Sequence, residues 1–146
     1  MIKILFVCHG NICRSPMAEF IMKDLVEQAG VDHRFEIASA ATSREALGEA
    51  VYPPARRELL AHGILCDGKR AQQIKVTDFD YYDYIFYMDS RNERYLKRIM
   101  PKQMDKVRPL LSRDVADPWY TGDFSQAWED ILEGCQNILK ELGYAK

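Results

Sequence analysis

The chain opens on Ile2-Lys3-Ile4-Leu5-Phe6-Val7, a short and almost continuous apolar run. Such a run reads as a strand buried on both faces. Ser15-Pro16 predicts a helix start, because proline in the first turn gives up an N–H that has no partner there. Ala18, Ile21, Met22, Leu25 and Ala29 recur at helical spacing, and Gly30 ends the run. Apolar and polar positions alternate from Phe35 to Ser39, which predicts a second strand. Pro53-Pro54 precedes a helix carrying Ala55, Leu59 and Leu60 that stops near Gly63. Tyr84 to Met88 predicts a third strand. Ser90-Arg91-Asn92-Glu93 has the spacing of a capping box and predicts a further helix. Val107 to Leu111 predicts a short fourth strand, with Pro109 suited to a sheet edge. A last helix sets Trp128, Ile131, Leu132, Cys135, Ile138, Leu139 and Leu142 on one face.

Strand and helix alternate along the whole chain, without a repeat, a low-complexity run or a long linker. That order predicts an α/β fold, one domain over 1–146, with a parallel sheet covered by helices on both faces. In such folds ligands sit at the carboxyl ends of the strands. The first strand ends at Val7-Cys8, so the first cysteine falls where a site is expected.

Length and charge narrow the classes. The 146 residues, 47% of them hydrophobic, suffice for a core without disulfides or a structural metal. A net charge of −2 gives no electrostatic case for nucleic acid or an anionic membrane. The apolar start is too short for a secretory signal, and no stretch approaches the roughly 20 apolar residues of a membrane helix. Cys8, Cys13, Cys66 and Cys135 lack the dense spacing of a small secreted domain. A reduced, cytoplasmic protein with a thiol free for chemistry is expected.

The chemistry concentrates in Cys8-His9-Gly10-Asn11-Ile12-Cys13-Arg14-Ser15-Pro16. A turn between a strand and a helix can aim successive backbone N–H groups into one concavity, and the helix end adds its dipole. Gly10 allows tight curvature. A cysteine at the mouth of that phosphate-sized site faces a field that favours thiolate over thiol. Beside a bound phosphoryl group it is a nucleophile in position. Arg14 closes the loop, and its planar fork can hold two non-bridging oxygens at once. Ser15 reads equally as a helix cap or as a donor to the Cys8 thiolate. Asn11 reads as a turn residue or as a side chain that holds the loop's shape.

A phosphatase also needs a group that protonates the leaving oxygen and then deprotonates water. Asp117, in Asp117-Pro118-Trp119-Tyr120-Thr121-Gly122-Asp123, is the best local candidate. Pro118 stiffens it, and Trp119 with Tyr120 could form an aromatic wall beside a substrate ring. A plain turn before the last helix, capped by Asp123, explains the same residues equally well.

The loop VCHGNICRSP, the run YPPARRELLAHGI and the later DPWY resemble the low-molecular-weight protein tyrosine phosphatases over the whole chain. The resemblance implies a four-stranded parallel sheet, hydrolysis of phosphotyrosine in protein substrates, and no metal or cofactor. It implies Cys8 as nucleophile, Arg14 as phosphate clamp, and Asp117 as general acid then base. His9, Gly10, Asn11, Ile12, Cys13 and Ser15 complete the phosphate loop, and Ser39 supports it through Asn11. Cys13 matches a second thiol that can form a reversible disulfide with the nucleophile. Three departures stand out. Arg44-Glu45 occupies the place of an aromatic or large apolar pocket residue. Trp119 replaces the first of two tyrosines, which leaves Tyr120 as the acceptor for a tyrosine kinase. Ile12 stands where relatives acting on phosphoarginine place threonine. Phosphoarginine hydrolysis and thiol-dependent arsenate reduction are the rivals on this fold, and the isolated Cys66 and Cys135 speak against the second. A non-catalytic phosphate binder would have no need of Cys8 and Asp117, and no Gly-x4-Gly-Lys-Ser/Thr marks a nucleotide loop.

Overall fold

The computed structural model describes residues 1–144. Four strands, β1 (Ile2–Cys8), β2 (Phe35–Ala41), β3 (Tyr84–Tyr87) and β4 (Val107–Pro109), form one all-parallel sheet in the order β2-β1-β3-β4. β1 is central and pairs on both sides, with Ile4 opposite Ile37 of β2 and Tyr84 of β3. Its continuous apolar run follows from that position. Ile4, Phe6 and Cys8 face one layer while Leu5 and Val7 face the other.

The first layer holds α1 (Arg14–Gln28), α2 (Pro53–Ala61) and α6 (Phe124–Glu141). Met17, Ile21 and Met22 of α1 pack there with Leu59 of α2 and Ile131, Cys135 and Ile138 of α6. The opposite layer holds α3 (Asp78–Tyr81) and α4 (Ser90–Ile99), through Phe79 and Leu96. Helices therefore cover both faces, as the alternation predicts. A four-residue helix, α5 (Pro118–Thr121), precedes α6, and two single 3-10 turns span Asp32–Arg34 and Met104–Lys106.

Local signals differ from expectation in a few places. The capping box of α4 is closed by Asp89, not Ser90. Its carboxylate accepts from the Asn92 N–H at 3.0 Å, and the Asn92 amide oxygen accepts from the Asp89 N–H at 3.1 Å. Asp at the cap and Asn three positions on satisfy the same two orphan donors as the Ser/Glu pair would. Pro53 and Pro54 lie inside the first turn of α2 instead of before it. β2 runs on to Ala41, because the segment at Gln72–Ile74 takes over its edge: Ala41 N–H donates to Gln72 O at 2.7 Å, and Ile74 N–H to Ala41 O at 2.8 Å. β4 is an edge strand of three residues containing Pro109, shorter than predicted.

Gly134 lets α6 come close to the chain after β4. A Cβ at this position would lie 2.6 Å from Leu110 Cδ1. Alanine is a better helix former by about 1 kcal/mol, but overpacking costs roughly 1–3 kcal/mol, so clash wins where the neighbour is held. Leu110 is buried. Gly134→Ala is therefore expected to destabilise the protein by about 1–2 kcal/mol in urea unfolding. Combined with Leu110→Ala, the two losses should sum to less than additive. Strict additivity would show that the two residues do not collide.

Candidate active site

The carboxyl ends of the strands converge on the loop between β1 and α1. Its carbonyls point outward and are anchored. Cys8 O accepts from Thr42 N–H, His9 O from Ser43 N–H, and Ile12 O from Tyr52 N–H, each at 2.9 Å. The N–H groups of His9, Gly10, Ile12, Cys13 and Arg14 find no acceptor among the described residues. Turning the carbonyls out turns these donors inward, which gives a cradle for an anion. Cys8 Sγ lies against it, 3.0 Å from Ser15 Oγ, 3.3 Å from Asn11 N and 3.4 Å from Ser15 N.

Asn11 sets the curvature. It takes φ 58°, a left-handed conformation that few residues other than glycine and asparagine accept. Its buried side chain uses every direction. Nδ2 donates to Ser15 Oγ at 2.8 Å and Ser39 Oγ at 2.9 Å, and Oδ1 accepts from Gln72 N–H at 3.1 Å. Both open sequence readings of Asn11 thus meet in one residue. Ser15 opens no side-chain cap, since the N-cap of α1 is Cys13 and that cap carries no side-chain bond. Because Ser15 Oγ accepts from Asn11, its own hydrogen is left for Cys8 Sγ, or for Ala40 O at a longer 3.5 Å.

Behind this layer lies a buried charge that the sequence reading does not identify. Ser39 Oγ donates to Glu19 Oε1 at 2.6 Å, and Glu19 is only 5% exposed. Lys23 Nζ meets Glu19 at 2.6 Å and Lys69 Nζ lies 3.6 Å away. Burial pushes the Lys69 ammonium below its ordinary value, partly opposed by Glu19. Lys69 Nζ and Gln72 Nε2 each also donate to Ser39 O at 3.1 Å.

Arg14 is 2% exposed. Its Nη1 donates to Asp89 at 2.7 Å and to Val115 O at 2.8 Å, and Nη2 reaches Asp117 at 3.4 Å. Nε–H and the second Nη2 hydrogen, on one edge of the fork, have no protein partner among the described residues. Burial works against the Arg14 charge, but Cys8, Asp117 and Asp89 outweigh it and raise its affinity for the proton. Asp89, at the end of β3, is the second residue absent from the sequence reading. The rule that sites gather at strand ends is the signal that could have found it.

Cys8, His9, Gly10, Ile12, Cys13, Arg14, Glu45, Asp117, Trp119 and Tyr120 line one cavity of about 200 Å³. Asn11, Ser15 and Ser39 stand behind the loop. Asp117 caps α5 by accepting from the Trp119 N–H at 3.0 Å, so the turn reading and the cleft placement both hold for it. Trp119 packs on Tyr52 with ring centroids 4.7 Å apart. Glu45 Oε2 meets His9 Nε2 at 2.9 Å on the rim. Cys13 is buried beside Cys8. Burial, then the Cys8 and Asp117 charges, push its thiol up to about 12. Cys66 and Cys135 are buried in the core layer away from this cavity. No group of three or more His, Cys, Asp or Glu side chains among the described residues is arranged to hold a metal ion.

A parallel α/β sheet with an anion cradle, a cysteine and a carboxylate at its strand ends defines the class. The family described as low molecular weight phosphotyrosine protein phosphatase matches residues 3–146, and the chain belongs to it. It is 35% identical to the low molecular weight protein-tyrosine-phosphatase YfkJ of Bacillus subtilis, over 97% of this chain and 96% of that one. The YfkJ crystal structure superposes with a TM-score of 0.95 at 36% identity, covering 97% and 94% of the two chains. The Streptococcus pyogenes enzyme SP-PTP gives 0.91 at 40% identity, covering 97% and 93%. A Drosophila arginine phosphatase, DARP, gives 0.89 at 29% identity, covering 97% and 98%.

The Arg14–Asp89 pair carries a pH dependence. Burial opposes the Asp89 charge, but the Arg14 hydrogen bond and charge prevail and hold its carboxyl below the usual value. A depressed carboxyl stabilises the fold above its unfolded pKa of about 3.9, and that share is lost as pH falls through the lower folded value. Asp89→Asn should cost roughly 1.5–3 kcal/mol at pH 7, the range for a hydrogen bond to a charged group. The gap between wild type and variant should shrink as urea unfolding is repeated toward pH 3. A gap constant across that range would mean that Asp89 is not the linked group.

Proposed function

We propose that the protein hydrolyses phosphotyrosine in protein substrates through a phosphocysteine at Cys8. The observation that carries this reading is the placement of Cys8 Sγ, under three donors, against a loop of inward N–H groups. The loop and the free Nε/Nη2 edge of Arg14 hold the non-bridging phosphoryl oxygens, and the same contacts follow them into the trigonal transition state. Cys8 Sγ attacks phosphorus opposite the phenolic oxygen. Asp117, on the rim, protonates that oxygen as it leaves. In the second half, Asp117 takes a proton from water, water oxygen attacks phosphorus, and the thiolate departs with the Ser15 hydroxyl donating to it. Trp119 and Tyr120 flank the ring. The free thiols and the absence, among the described residues, of a helix long and apolar enough to cross a membrane support a cytoplasmic setting. Tyr120, 76% exposed, presents its hydroxyl to a tyrosine kinase.

Cys8→Ser should abolish turnover while vanadate or phosphate binding survives, and Arg14→Lys should lose most activity because a point charge cannot replace a two-point grip. Asp117→Asn should slow phosphotyrosine about 10²–10⁴-fold and nitrophenyl phosphate much less, since only the poor leaving group needs its proton. Phosphoarginine peptides and arsenate, run in parallel, should be poor substrates. Turnover by Cys8→Ser, or equal small losses on both esters, would overturn the respective assignment.

Cys13 fits a protective role. Held as a thiol partly by the Cys8 charge, it loses that constraint once peroxide converts the Cys8 thiolate to a sulfenic acid. Attack by the Cys13 sulfur on that of Cys8 then forms a disulfide and releases water. Peroxide should inactivate wild type with full recovery in dithiothreitol, whereas Cys13→Ala should recover less as exposure lengthens. Equal recovery would remove the role.

A further inference from the structure

A second groove of about 500 Å³ borders the cavity at Cys8. His9, Arg14, Asp117 and Tyr120 line both and so form the wall between them. The outer rims carry opposite charge. Glu45 and Glu49 stand on the first, both exposed, and His9 bridges only Glu45. On the second, α4 presents Arg91 and Arg94, three residues apart and hence on neighbouring positions of one face. Both arginines are exposed, and neither forms an ion pair among the described residues. Of the carboxylates in that groove, Asp89 is committed to Arg14 and Asp117 lies beside the same guanidinium. Asp114 remains, accepting from Ser90 Oγ at 3.3 Å. The groove as a whole balances three arginines against three aspartates, but the two carboxylates on Arg14 lie at its inner end, so the outer rim on α4, Arg91 and Arg94 against Asp114, is positive while the rim at Glu45 is negative.

We infer that the protein selects phosphotyrosine segments of mixed charge. A basic side chain lies on the flank over Glu45 and Glu49, and a carboxylate lies on the flank entering the groove of Arg91 and Arg94. This rests on the phosphotyrosine reading and names its preferred substrates. An extended segment advances about 3.3 Å per residue, so residues one to three positions from the phosphotyrosine reach both rims while the phosphate occupies the loop. Like charge at either rim repels, so the arrangement rejects uniformly acidic and uniformly basic segments as well as attracting mixed ones. The contacts are the same in ground and transition states, so they act on KM and leave kcat little changed.

The test uses four phosphotyrosine peptides of equal length, with acidic–basic, basic–acidic, all-acidic and all-basic flanks. For each enzyme, kcat/KM is expressed relative to nitrophenyl phosphate. One mixed order should exceed both uniform peptides by roughly three- to tenfold at low salt, through KM, and the margin should collapse near 1 M salt. Arg91→Glu combined with Arg94→Glu should move the preference to the all-basic peptide, and Glu45→Lys with Glu49→Lys to the all-acidic one. Binding of the same peptides to Cys8→Ser should follow the same order, which reads selectivity without turnover. Equal ranking of the four peptides, or a ranking unmoved by the arginine reversal, overturns the inference. A wild-type protein that binds the peptides in the expected order yet hydrolyses no ester would instead overturn the phosphatase reading.

Discussion

The amide of Asn11 fixes the site. A loop that aims its N–H groups at a ligand must send its carbonyls elsewhere and pass at least one residue through an unfavourable backbone conformation. Asn11 meets both demands. Its backbone takes the left-handed turn, and its buried side chain ties the loop to α1 through Ser15, to β2 through Ser39 and to the Gln72 segment. The direction of each proton follows from what lies behind. Glu19, paired with Lys23 and Lys69, accepts from Ser39 Oγ, which in turn offers a lone pair to Asn11. The Asn11 amide then donates twice, and Ser15 is left to donate to sulfur. A carboxylate remote from the cavity thus sets the hydrogen-bond polarity at Cys8 Sγ, and it is tolerated in the interior because Lys23 and Lys69 pair with it.

Arg14 is governed by the same economy of directions. A guanidinium taken out of water needs partners for its donors, and the strand ends supply them: Asp89 after β3, Val115 O and Asp117 beyond β4. The partners occupy Nη1 and touch Nη2, which fixes the plane of the fork and leaves one edge toward the cleft. Orientation is therefore complete before any ligand arrives, and little side-chain entropy remains to be lost on binding. Burial first, then the Cys8 and Asp117 charges, set Cys13 apart from its near neighbour, against the pull of Arg14. The Cys13 thiol has no donor among the described residues and is pushed up, whereas Cys8 Sγ receives three donors.

The elements with strong local signals were legible in the sequence: the buried run of β1, the helical spacing of α1 and α6, and the loop from Cys8 to Ser15. Period and composition report which face a residue turns to the core, and these elements turn large faces to it. Local signals failed where two chemistries satisfy one need, as at Asp89 against Ser90, and where elements are too short to have a period, as in α3 and α5. They also failed for partners remote in sequence. Glu19 sits among the apolar positions of α1 and reads as an ordinary exposed helix residue until β2 and the Lys69 segment close over it. Asp89 lies one residue before the expected cap at Ser90, and nothing local marks it as a partner of Arg14, 75 positions away.

The base and the rim of the cleft are built on different physical terms. Cys8, Asn11, Arg14, Ser15 and Ser39 at the base are buried and tied in at least one further direction, so substitutions there act on geometry as much as on charge. Glu45, Glu49, Arg91 and Arg94 stand on exposed turns and a helix surface, where solvent screens each charge and side chains retain rotamer freedom. Changes on such positions cost the fold little, while the cradle beneath them tolerates few. Glu45, where the family resemblance implies an aromatic or large apolar residue, is a change of this kind. It gives up ring contact worth about 0.5–1.5 kcal/mol and gains an interaction that depends on what flanks the target. Trp119, held against Tyr52, and Tyr120 retain aromatic surface in the same lining. In the proposed complex Trp119 and Tyr120 flank the ring with no further aromatic at the place of Glu45, which leaves the charge of the neighbouring residues a larger share in deciding which substrates stay bound.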